Sequence, residues 1–108
     1  MTNYSIRGQG RNNAEQAIFN RKNFKTSGSV QGSQASLGYV GMLSGEARDA
    51  YYADVNVADY TLYSYSTPIA WHTPNGWTVV KAKFSSTTGR HQSLARAGIG
   101  YNTPTREV

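Results

Sequence analysis

Few side chains in this chain could do chemistry, and most lie between His72 and Arg96. His72 and His91 are the only histidines. Neither has a second histidine or a carboxylate at a ligand spacing such as i, i+4, so no metal site is expected. Four hydroxyls, Ser85, Ser86, Thr87 and Thr88, precede His91. A hydroxyl nucleophile with a histidine base also needs a group to orient the imidazole and an oxyanion site. The neighbouring sequence offers no acid for that role, and helix capping accounts for the hydroxyls without further assumptions. No catalytic residue is assigned, and no cofactor is implied.

Two binding patterns remain. Thr87, Thr88 and Gly89 could form an anion-binding helix start, with free N–H groups, hydroxyls and room for close approach. Arg90 would add a bidentate donor. The spacing and lysine of a Walker loop are missing. The second pattern is cationic. Lys81 and Lys83 share one face of a strand, because strand side chains alternate. Arg90 and Arg96 are six residues apart, about 600° around a helix, and do not stack on one face. With Arg7 and Arg11 they make a candidate nucleic-acid-binding set. A strand edge protected by lysines against aggregation explains Lys81 and Lys83 equally well.

Secondary structure must position these groups. Tyr60, Leu62 and Ser64 alternate with Thr61, Tyr63 and Tyr65, as in a strand. Thr67-Pro68 breaks that ladder. Ile69 to Thr73 forms a second strand, and Thr73-Pro74-Asn75-Gly76 a turn. Trp77 to Phe84 forms a third. A two-residue Asn75-Gly76 loop groups Ile69, Trp71, Val80, Ala82 and Phe84 on one face. A three-residue loop groups Ile69, Trp71, Trp77 and Val79 with Lys81 and Lys83. Both registers stay open. Thr87 or Thr88 caps a helix from Gly89 to about Ala97, with Gly98 just past its end.

The remainder is looser. Ser44 starts a helix to about Tyr52 or Asp54, with Ala47, Ala50 and Tyr51 as a narrow apolar stripe. A short helix capped by Asn13 begins the Ala14–Phe24 stretch. Residues 26–41 read as a Gly/Ser loop with a short strand at Leu37–Val40. Residues 1–13 read as a flexible basic arm, 14–101 as the folded domain and 102–108 as a frayed tail.

At 108 residues the chain is one domain with a modest core. Hydrophobic residues make up only 38%, so the eight tyrosines must supply much of the burial, rings packed and hydroxyls wet. There is no cysteine, which removes disulfides and thiolate metal sites. No apolar run is long enough to span a membrane, and the N-terminus lacks a signal-peptide core. The expectation is a soluble cytoplasmic protein. The net charge of +5 is uneven: +4 over residues 1–26, −3 over 44–60 and +4 over 61–108. A basic chain with one acidic segment is compatible with a polyanion partner.

The run YSYSTPIAW, then GW followed by V, then FSSTTGRHQ resembles a pattern shared by small uncharacterised accessory proteins of phages and actinobacteria. It maps to Tyr63, Ser64, Tyr65, Thr67, Ile69, Ala70, Phe84, Ser85, Thr87, Thr88, His91 and Gln92, within about residues 60–96. The resemblance implies a phage-type protein acting in a bacterial host cell and implies no activity. Strand tyrosines paired with a Thr-Thr-x-x-His-Gln helix start suggest a polar network joining helix to sheet.

The expected fold is α+β: an antiparallel sheet of three or more strands with one or two short helices on one face. The expected function is non-enzymatic binding of nucleic acid through the basic surface. The alternatives are a host-takeover factor that inhibits a bacterial protein, or a self-assembling structural protein.

Overall fold

The computed structural model describes residues 3–6, 11–26, 30–35 and 37–108. Ten elements follow one another as β1 (Asn3–Ile6), α1 (Arg11–Phe19), β2 (Asn23–Thr26), β3 (Val30–Ser33), α2 (Gly45–Asp54), β4 (Tyr60–Ser64), β5 (Thr67–Thr73), β6 (Gly76–Val79), α3 (Ser86–Ile99) and β7 (Thr105–Glu107). All seven strands form one sheet, in chain order. The β2 to β6 pairs are antiparallel, while β1–β2 and β6–β7 are parallel. The protein is an α+β domain.

A parallel pair needs a crossover, and α1 and α3 supply the two. β1 and β6 run in the same sense, and both crossovers advance the same way across the sheet. A single handedness therefore sends both helices to one face. α1 and α3 do pack on each other there. α2, from the β3–β4 connection, packs its Tyr51 on Trp71 in a second core. The structure thus adds a second covered face to the expected architecture, with all three helical segments used.

Each face has its own core. On the α1/α3 side, Ala14, Ala17 and Ile18 of α1 meet Leu94, Ala95 and Ile99 of α3 over Tyr60, Leu62, Ala70, Trp77 and Val79. On the α2 side, Leu43, Ala47 and Tyr51 meet Trp71, Val80 and Val108. β4 and β5 lie between the cores and are buried almost throughout. Ile69 joins Ala70 in the first core because the ladder shifts between Leu62 and Tyr63. That bulge opposes two β5 residues to one on β4. The tyrosine hydroxyls in these cores do not stay wet. Tyr60 Oη donates to the Lys22 carbonyl at 2.8 Å, and Tyr63 Oη accepts from the Leu37 N–H at 2.8 Å.

Several local expectations are corrected. Of the arm expected over residues 1–13, residues 3–6 form β1, paired in parallel with β2, and residues 11–13 begin α1; the others lie outside the described residues. The tail expected to fray over 102–108 forms β7, and Val108 plugs the second core at 7% exposure. Its N–H donates to Val79 and its carbonyl accepts from Lys81. Leu37–Val40 is irregular, and the strand of that region is β3. Pro68 does not break the ladder, because it lies in β5 beyond the last β6 pair, Ala70–Val79. The hairpin pairs Thr73 with Gly76 across Pro74 and Asn75. Neither expected register occurs, yet Trp71 and Val80 share a face as in the first of them.

α3 begins at Ser86, capped by Ser85 rather than Thr87 or Thr88, and ends at Gly100, not Gly98. Gly98 instead lies against α1, where an added Cβ would come within 2.7 Å of Ile18 Cβ. Gly98→Ala should therefore destabilise the fold by about 1–3 kcal/mol through overpacking. A lowered thermal midpoint relative to Gly89→Ala, whose Cβ meets nothing within 4 Å, would show it. Equal midpoints would mean that the helices separate freely.

Candidate nucleic-acid interface

α3 is tied to the sheet by polar side chains at its N-terminal half. The Ser85 side chain accepts the Thr88 N–H at 3.1 Å and donates to Thr88 Oγ1 at 3.2 Å. Thr88 Oγ1 lies 3.1 Å from Ser64 Oγ, which lies 2.7 Å from His91 Nδ1. Ser85 and Ser64 both donate to Thr88 Oγ1. A neutral imidazole can take either role toward Ser64, set by which ring nitrogen carries its proton. Burial pushes the His91 pKa below its ordinary value, which favours this neutral form. Next in sequence, Gln92 Nε2 donates to the Val80 and Ala82 carbonyls at 2.8 and 2.9 Å. This is the helix-to-sheet network suggested by the Thr-Thr-x-x-His-Gln pattern.

Ser64 and His91 have the spacing of a nucleophile and base, but Ser64 is only 1% exposed. Its hydroxyl is shared with Thr88, and no acid is hydrogen-bonded to the imidazole among the described residues. Tyr65 lies over His91, ring centroids 5.9 Å apart, in a two-residue turn where it adopts a φ of 59°.

Gln92 also fixes the chain between β6 and α3, which carries Lys81 and Lys83. β6 stops at Val79, so the lysines stand on this connecting segment and not on a strand face. Both are exposed. With α3 and β7 the segment encloses an open groove of about 680 Å³. Ile69, Val79, Val80 and Phe84 form its apolar lining; Lys81, Lys83 and Arg96 are its cations. Glu107 lines it too, paired with Arg96 at 2.9 Å. Neither lysine makes an ion pair among the described residues.

The expected site residues are therefore partly united. Lys81, Lys83 and Arg96 meet in the groove, and Gly89 borders it. Arg90 is exposed on α3 outside the groove lining. Thr88 is buried and committed to the internal row, so the helix-start anion site loses one of its hydroxyls. Its N–H is already taken by Ser85. Arg11 begins α1 at the opposite end of the chain's sheet order, and Arg7 lies outside the described residues. The expectation missed Phe84 as a groove residue, although its place beside two lysines was a usable signal. It also missed the pairing of Glu107 with Arg96, which no local spacing reveals.

The acidic segment is used internally. Asp54 accepts from Trp71 Nε1 at 2.9 Å and pairs with Arg106 at 2.7 Å. Asp59 pairs with His72 at 2.7 Å. Among the described residues no group of three or more His, Asp or Glu could hold a metal ion. No described helix is long and apolar enough to cross a membrane.

Fold and groove together define a small α+β domain with a two-sided sheet and a cationic cleft beside α3. The chain belongs to a family of unknown function, DUF8033, whose model matches residues 10–105. No curated protein and no solved structure matches it.

Burial of His91 makes stability depend on pH. The folded-state pKa of His91 is lowered, so the unfolded chain binds the proton more readily. The neutral-histidine contribution is full above about pH 6.5 and is lost as pH falls from there through the folded value. Thermal midpoints of the wild type should drop between about pH 7 and 5 more than those of His91→Gln. Parallel curves for the two proteins would exclude His91 as the source.

Proposed function

We propose that this protein is a non-enzymatic, phage-type accessory protein that binds nucleic acid through the groove beside α3. One observation carries the reading: Lys81 and Lys83, unpaired among the described residues, line the same cleft as Arg96. Cations gathered in one place lower the cost of holding a phosphate chain and release its counterions on binding. The formal charge of +5 acts in the same direction over longer range. The resemblance of residues 60–96 to phage-encoded proteins supports the setting, a bacterial cytoplasm.

A second reading, inhibition of a host protein, is favoured by a different surface. Leu37, Tyr39 and Met42 are exposed in one short segment ahead of α2. That segment is anchored to the β4–β5 hairpin, since the Met42 N–H donates to Thr67 Oγ1 at 2.9 Å. Rigid exposed aromatic and apolar side chains suit a protein contact.

Titration with labelled oligonucleotides at several salt concentrations tests the first reading. With about two phosphates engaged by Lys81 and Lys83, affinity should fall on the order of tenfold between about 50 and 200 mM salt. Replacing both lysines, Lys81→Gln with Lys83→Gln, should weaken binding and flatten that dependence. Absence of binding to DNA and RNA at the lowest salt would remove this reading and leave the protein-contact surface as the better one.

A further inference from the structure

We infer that the groove takes a single strand, with one base unstacked against Phe84, and excludes a duplex. The inference rests on the nucleic-acid reading and adds the form of its ligand. A duplex offers phosphates on a broad convex cylinder and keeps its base faces stacked inside. Its docking calls for cations on a protruding helix or a wide face, and gives an apolar cleft nothing to cover. Here the arrangement is the reverse. Lys81, Lys83 and Arg96 line a concavity that also presents aliphatic side chains and one aromatic ring, Phe84, beside serines, Gln92 and the paired Glu107.

An exposed base needs just such a surface. Single-strand binders combine a cationic track for the backbone with aromatic rings for base faces. The volume of about 680 Å³ lies within the range of clefts that enclose small ligands, and suits a nucleotide or two. Lys81 and Lys83 are two residues apart, so their Cα atoms are separated by at most about 7 Å. That separation is close to one phosphate-to-phosphate step of an extended strand.

The platform is also preorganised. Phe84 is half-buried and packs against the second core. Its segment is held from one side by Gln92, through the Val80 and Ala82 carbonyls, and from the other by the Lys81–Val108 hydrogen bond. A ring fixed in this way loses little freedom when a base stacks on it. The Arg96–Glu107 pair keeps the carboxylate from facing the phosphates unneutralised.

The test compares one labelled oligonucleotide of about eight nucleotides, in DNA and RNA versions, with its blunt duplex at about 50 mM salt. Fluorescence polarisation reads the full-length protein and two variants, Phe84→Leu and the Lys81→Gln, Lys83→Gln pair. Leucine keeps an apolar side chain at the core and removes the ring; melting curves check that the fold is retained. The single strand should bind at least about tenfold tighter than the duplex, and Phe84→Leu should cost it about five- to tenfold. The lysine variant should weaken every nucleic acid. Equal or tighter duplex binding, or an unchanged single-strand affinity in Phe84→Leu, overturns the inference while the polyanion reading stands. If no nucleic acid binds at all, both fall together.

Discussion

The central hairpin β4–β5 is covered on both faces, and most of the structure answers to that constraint. A strand buried on both sides has no solvent to satisfy its polar side chains, so each must find a partner within the protein. Tyr60 reaches the Lys22 carbonyl on one side. Tyr63 takes the Leu37 N–H on the other. Ser64 is bonded to Thr88 and His91 of α3. Trp71 finds Asp54 at the end of α2. Among the described residues, Thr61 Oγ1 is the one buried side-chain polar atom without a partner. These bonds join each covering layer to the hairpin, so helix placement and hydrogen-bond satisfaction are a single problem here.

The groove follows from the same arrangement. α3 lies on one face of the sheet, while the chain that feeds it leaves β6 next to β7. The connecting segment cannot continue the strand, because Gln92 takes the Val80 and Ala82 carbonyls. Phe84 turns into the second core, and the lysines on either side of Ala82 are left exposed. A cleft with an apolar lining and cations is thus a product of a strand leaving its sheet early. The final residues complete it: Val108 closes the core and Glu107 pairs with Arg96.

Legibility in the sequence follows the range of the interactions. α3 is marked by the Ser-Ser-Thr-Thr run, because capping acts within a few residues, while α2 starts after Ser44 without a side-chain capping bond. β4 is marked by its alternation, and the turn after β5 by Pro-Asn-Gly. β1, β2, β3 and β7 span only three or four residues each. Strands that short contain too few side chains to reveal a period, and two of their pairings are parallel, with a helix between partners. The hairpin register was ambiguous for a related reason. Neither expected loop allowed Thr73 to pair directly with Gly76 across Pro74 and Asn75.

By itself, the sequence determined the α+β class, the β4–β5–β6 meander, the presence of the three helices and the cations available for binding. These depend on local periodicity, capping and composition, which neighbouring residues decide among themselves. The tertiary structure alone decided which cations meet. It gathered Lys81, Lys83 and Arg96 and left Arg90 outside the groove lining. It also turned Ser64 toward His91, 27 residues away, and converted a tail expected to fray into an edge strand. Such outcomes depend on contacts between distant segments, whose strength comes from burial and geometry that no local spacing records.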